Sequence, residues 1–174
     1  ILYTGDYNPY GTVTAGIAKP RDCDTLIIGS TYGKPGQNLP NRNEVLKDLQ
    51  AWIEVTSSNG GGIVGAYSLG KAQEVIATAN NGGVVPAVSE IVASVSDVYK
   101  KHGVPLEYVP YTELDEEEKK KPGLLVTSTT ATSGRRPDTV VKDLRMNGAK
   151  VARVSGWCAF ASWAMRGVDA GFPL

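Results

Sequence analysis

Apolar and polar positions follow two rhythms along this chain, and their order predicts a layered α/β domain. The block Asp24-Thr25-Leu26-Ile27-Ile28-Gly29 is a short apolar run between turn formers, as expected of a fully buried strand. A loop rich in Gly, Pro and Asn follows over residues 33–43. Val45, Leu49, Trp52 and Ile53 then recur at helical spacing, and Ser57-Ser58-Asn59-Gly60 stops that helix. Residues 62–67 read as a second strand. The next helix carries Ala72, Val75, Ile76 and Ala79 on one face and ends at Asn80-Asn81-Gly82-Gly83.

Val84-Val85-Pro86-Ala87-Val88 is a third strand-like stretch. Ser89 is placed to cap a helix with Ile91, Val92, Val95, Val98 and Tyr99 turned inward. Lys100, Lys101 and His102 fall in its last turn, where positive charge suits the helix dipole. Residues 106–109 read as a strand, and 115–121 as a surface helix with acids first and lysines after. Leu124-Leu125-Val126-Thr127 is a strand, Val140, Val141 and Leu144 mark a helix closed by Gly148, and residues 151–155 close the series. Strand and helix alternate at least four times. The expected fold class is α/β, a mostly parallel sheet with helices on both faces.

Charge narrows the functions this fold could carry. Lys plus Arg and Asp plus Glu are each 18, so no net field points to nucleic acid or membrane. That argues against a protein that coats DNA through a basic surface. It does not exclude an enzyme that grips a strand in one local groove. Cys23 and Cys158 lie far apart without CxxC spacing, as expected of free thiols, buried or partly buried, in a reducing cytosol. The apolar runs are too short to span a membrane. Ile1-Leu2-Tyr3 already reads as strand, and Gly171-Phe172-Pro173-Leu174 is again apolar. Domain ends are usually polar and loose, so the chain is expected to be a piece of a longer protein.

In a parallel sheet, ligands bind where strands hand over to helices. Three such loops carry chemistry. The segment 65–74 combines small residues at a strand-to-helix turn with Ser68, Gly70 and Lys71. It can present amide groups and a cation to an anion, or it can simply be a tight turn. The segment Thr127-Ser128-Thr129-Thr130-Ala131-Thr132-Ser133-Gly134-Arg135-Arg136 is hydroxyl-rich, with a Gly and two arginines, and suits either a phosphate cradle or a polar loop. Asp6, after Gly5 at a strand end, is placed for a metal ligand or a turn-capping role. With one histidine, His102, the chain cannot complete a His-rich zinc site. His102 itself reads as a capping or surface residue.

Four segments resemble one family. Ile1-Leu2-Tyr3-Thr4-Gly5-Asp6-Tyr7 and the run from Cys23 through Ser30-Thr31-Tyr32-Gly33 are similar to the middle of β-CASP metallo-β-lactamase-fold nucleases. That family includes 3′-end-processing endonucleases, archaeal RNA-processing nucleases and ligase-associated DNA exonucleases. Ala66-Tyr67-Ser68-Leu69-Gly70-Lys71-Ala72-Gln73-Glu74 resembles a segment of its inserted domain. Val154-Ser155-Gly156-Trp157, with the run Arg166 to Leu174, resembles the approach to its Ser-Asp-His-Ala-Asp motif in the exonuclease branch.

The resemblance implies a segment of the metallo-β-lactamase core over residues 1–33 and a β-CASP domain over 34–174, truncated just before its return to the core. It implies two zinc ions in the complete protein, with Asp6 bridging them, and phosphodiester hydrolysis in RNA or DNA. Ser68, Gly70, Lys71, Ser128, Thr129, Thr130, Ser133, Gly134, Arg135 and Arg136 would lie on the side that holds a single strand of RNA or DNA. A homodimer, or association with the missing core, is the implied assembly. Two departures stand against full activity. Gly29 occupies a position where the family usually has an acid, and the histidine motifs that should flank Ile1 and Leu174 are not in this sequence. This chain alone is expected to be inert. Two other readings remain open: a non-catalytic β-CASP-like module that binds nucleic acid or a partner, and an unrelated Rossmann-like transferase or mononucleotide binder.

Overall fold

The computed structural model describes residues 1–133 and 137–174, which divide into two compact units, Ile1–Asn38 and Leu39–Leu174. In the first unit, β1 (Leu2–Tyr3) and β2 (Leu26–Ile27) form a parallel two-stranded sheet. The expectation of a fully buried strand at residues 24–29 is corrected here. Leu26, Ile27 and Ile28 are 52%, 51% and 46% exposed, because β2 is two residues long and bonds to β1 alone.

The second unit is built on a six-stranded sheet in the order β5-β4-β6-β3-β7-β8, parallel throughout. Its elements in chain order are α1 (Arg42–Ser58), β3 (Gly62–Ala66), α2 (Lys71–Asn81), β4 (Ala87–Val88), α3 (Glu90–Lys101) and β5 (Val109–Pro110). After these come α4 (Glu116–Lys120), β6 (Leu124–Ser128), α5 (Thr139–Met146), β7 (Lys150–Val154) and β8 (Ala170–Phe172). The α/β class with helices on both faces is as the sequence pattern predicts. β8 is an addition that its short Ala-Gly-Phe stretch did not reveal.

Strand periodicity assigns the two faces. Val64, Ala66, Val126, Ala152 and Val154 meet Leu49 and Ile53 of α1, Val75 and Ile76 of α2, and Val92 of α3 in one core. Ile63, Leu125 and Val151 point the other way and meet Val141 and Leu144 of α5. Each fully buried Leu, Ile or Val contributes roughly 1.5–3 kcal/mol through the water it sheds. Trp52 of α1 packs edge-on against Phe172 of β8, with ring centroids 6.0 Å apart, and covers the sheet's far edge.

Local chemistry sets the helix limits. The Asn41 side chain accepts from the amides of Asn43 and Glu44 at the start of α1. Asp115 and Glu118 form a reciprocal capping box on α4. The inward face of α3 differs from the expected one: Ile91 and Val98 are 54% and 51% exposed, whereas Val92, Ala93 and Ser96 are buried. The helix is turned by a polar contact, in which Gln73 Nε2 donates to Ser96 Oγ at 2.9 Å inside the core. An apolar stripe alone could not predict that a serine would sit inside.

Candidate nucleic-acid interface

A sheet of this order has a crevice where successive connections depart to opposite faces. The chain leaves β3 for α2 on one face and leaves β6 for α5 on the other, so their carboxyl ends separate. An open cleft of about 500 Å³ lies there, lined by Tyr67, Thr129, Thr130, Ser133, Arg153, Ser155, Trp163, Arg166 and Gly167. None of these is acidic.

Arg153 makes the floor. It stands fourth on β7 in the cross-strand row Gly65, Arg153, Gly171. A side chain at Gly65 would collide with Thr132, and one at Gly171 with Met165. The loops after β6 and β7 therefore settle directly onto the sheet on either side of the arginine. Arg153 is 7% exposed. Its Nη1 donates to the carbonyl of Ala164 at 2.7 Å and its Nη2 to that of Thr132 at 3.4 Å. Its Nε has no partner, and among the described residues no carboxylate pairs with it. The guanidinium charge is therefore offered to the cleft, whose walls focus it.

The second loop rises above that floor. Ser128 Oγ and Thr130 Oγ1 share a hydrogen bond of 2.8 Å, and Ser128 Oγ also accepts from the Ala131 amide. Ser155 is buried at the end of β7, and its hydroxyl accepts from the Trp157 amide. Cys158, behind Arg153, donates weakly to that residue's carbonyl, and burial raises its thiol pKa although the Arg153 charge opposes the shift.

The expected site residues separate into groups. Thr129, Thr130 and Ser133 line the cleft. Ser128 lines a second cleft of about 370 Å³ at the ends of β4 and β6. Gly134, Arg135 and Arg136 lie outside the described residues. Ser68, Gly70 and Lys71 serve the turn before α2: the Ser68 carbonyl accepts from Gln73 Nε2 at 3.1 Å, and the Gly70 amide donates to Gln73 Oε1 at 2.7 Å. Gly70 has φ +86°, which the turn needs. Lys71 pairs with Glu74 at 3.3 Å, and Arg42 also pairs with that buried carboxylate. Sequence reasoning did not single out Tyr67, Arg153, Ser155, Trp163 or Arg166. The available signal was the charge of Arg153 inside Lys150-Val151-Ala152-Arg153-Val154, an otherwise apolar strand interior.

In the first unit Asp6 is exposed beside Gly29. A Cβ on Gly29 would stand 2.7 Å from the Gly5 carbonyl oxygen and 3.7 Å from Asp6 Oδ1. A side chain at position 29 would thus adjoin Asp6, but this backbone has no room for one. Among the described residues no three His, Cys, Asp or Glu side chains are grouped to hold an ion. The one histidine, His102, is the exposed C-cap of α3. The donors present do not fit a two-zinc centre. Cys23 is exposed rather than buried, and both cysteines are free. Among the described residues no helix is long and apolar enough to cross a membrane.

Comparison with known proteins finds partial relatives. The chain is 38% identical over 84 residues to an RNase J-like protein of Methanocaldococcus jannaschii, a stretch covering 47% of this chain and 20% of that protein. It is 40% identical over 80 residues to RNase aCSPSF2 of Saccharolobus solfataricus, covering 44% of this chain and 16% of that one. Over its whole length it is 26% identical to a probable DNA ligase of Opitutus terrae, of which it spans 16%. The chain thus corresponds to a fifth or less of each of these relatives. No family model matches it.

Proposed function

We propose that this chain is the strand-gripping part of a metal-dependent nuclease of the β-CASP type, acting on RNA or DNA. The observation that carries the reading is the cleft at the ends of β3, β6 and β7. It offers the hydroxyls of Thr129, Thr130, Ser133 and Ser155, the exposed guanidinium of Arg166, and the buried guanidinium of Arg153, which no carboxylate among the described residues pairs. Hydroxyls with arginines and no acid suit a phosphodiester backbone. Partial relatives described as ribonucleases support the same reading. The hydrolytic centre is left to residues beyond this chain's donor set, with Asp6 as one contributor. The open apolar side chains of the first unit, Leu26, Ile27 and Ile28 among them, support its being part of a larger core.

The test has two arms. Fluorescence anisotropy with labelled single-stranded RNA and DNA should give salt-dependent binding to the chain, weakened by Arg166→Ala together with Thr130→Ala. The full-length protein, purified without chelator, should shorten or cut end-labelled strands. A chain that binds strands in a full-length protein that cuts neither RNA nor DNA would instead establish a non-catalytic binding module. A chain that binds no strand would reject the grip itself.

A further inference from the structure

Two aromatic side chains share the wall of this cleft with the cations, and backbone binding alone does not use them. Trp163 is 53% exposed and Tyr67 is 47% exposed, and both line the cleft. Trp163 is not a loose surface residue. Its ring lies 5.9 Å from that of Trp157, at an interplanar angle of 45°. It also directly precedes Ala164, which is fully buried and whose carbonyl accepts from Arg153 Nη1 at 2.7 Å. The aromatic surface and the buried cation are therefore fixed to one another through a single residue. The same guanidinium reaches the Thr132 carbonyl in the hydroxyl loop, so both walls are referenced to Arg153.

We propose that the cleft is a subsite for one unpaired nucleotide: Trp163 stacks its base, with Tyr67 on the β3 side, while Arg166, Thr130 and the field of Arg153 hold the adjoining phosphate. The inference rests on the strand-gripping function and adds what the strand must present there. A base within a duplex has no free face to offer, so the subsite selects single strands. Every base has a π-face, so selection among sequences is weak. A cleft of about 500 Å³ falls within the usual range for small-ligand sites and is large enough for one such unit.

The experiment compares three labelled probes: a short single-stranded oligonucleotide, the same phosphate chain with abasic units, and the duplex. The unmodified chain should bind the ordinary strand about tenfold more tightly than the abasic one, with quenching of tryptophan fluorescence. Trp163→Leu should erase that difference and leave the salt dependence unchanged, and Trp163→Phe should restore part of it. Circular dichroism and the melting temperature verify that the variants fold, and Tyr67→Leu supplies a second variant should Trp163→Leu not fold. Equal binding of ordinary and abasic strands, or full discrimination retained in Trp163→Leu, overturns the subsite and leaves the grip intact. Failure of the unmodified chain to bind any probe overturns both.

Discussion

Arg153 donates from Nη1 to the carbonyl oxygen of Ala164 at 2.7 Å, tying the cleft floor to the loop that carries Trp163 and Arg166. Both groups are buried, so the bond is made where water cannot substitute for it. Arg153→Met should release that tie while leaving the sheet ladder in place. Hydrogen exchange should then rise across residues 162–167 and stay unchanged in β3, β6 and β7. Unaltered exchange in that loop would show that something else orders it.

Glu74 is shared by Arg42 and Lys71, and its side chain is 2% exposed. Removing Arg42 leaves a buried carboxylate with one partner of its pair. Arg42→Ala is expected to cost about 2–3 kcal/mol in urea denaturation, since an uncompensated buried charge is expensive. Lys71→Ala should cost about 0.5–1 kcal/mol, because its longer contact with Glu74, at 3.3 Å, is worth less. A Lys71→Ala chain of unchanged stability but severalfold weaker strand binding would return Lys71 to the ligand-binding role expected from sequence.

Gly65 lies under Thr132, leaving no space for a Cβ. Gly65→Ala should destabilise the domain by about 1–3 kcal/mol through overpacking of a rigid sheet position. Pairing it with Thr132→Gly should recover part of that loss. Equal melting temperatures for Gly65→Ala and the parent would mean that the loop yields freely.

The two cysteines should differ in alkylation. Cys23 is exposed, whereas Cys158 is half-buried and its thiol pKa is raised by burial. Iodoacetamide at neutral pH should modify Cys23 first, with Cys158 reacting only as the pH climbs further into the alkaline range. The linkage has a definite sign. A raised folded-state pKa means that the stability held by the neutral thiol is complete below the ordinary thiol value and is lost as pH rises through the folded one. Mass spectrometry of partly modified chain checks the order, and Cys158 reacting first would contradict the burial argument.

The layered α/β plan was legible because buried strands and amphipathic helices impose different periods on the sequence. Where the structure departs, a specific contact overrides the period. Ser96 turns α3 by meeting Gln73, and Leu26 and Ile27 form a two-residue strand with one neighbour. One wall of the cleft could be anticipated, because hydroxyls after a buried strand are visible as a run. Arg153 left one sign, a charge within an apolar strand, but its place beside the hydroxyls, like that of Trp163 and Arg166, follows from strand order alone, which sets β7 beside β3. Lys71 shows the converse: a residue type suited to phosphate whose contact in the structure is a neighbouring carboxylate.

That strand order also dictates when the sheet can exist. β3 is the centre of the sheet, yet Gly62 pairs with Leu124 on one side and Lys150 on the other, and no neighbour comes from the chain immediately after it. During synthesis β3 must emerge with α1 and α2 beside it and wait, both edges open, until more than half of the remaining domain has been made. Such distant pairings slow folding and expose strand edges to the wrong partners. The cleft, assembled from the ends of those same late strands, is complete only after β7, so a chain interrupted between α5 and β7 would carry α1 to α5 and the hydroxyls after β6 but neither Arg153 nor Arg166.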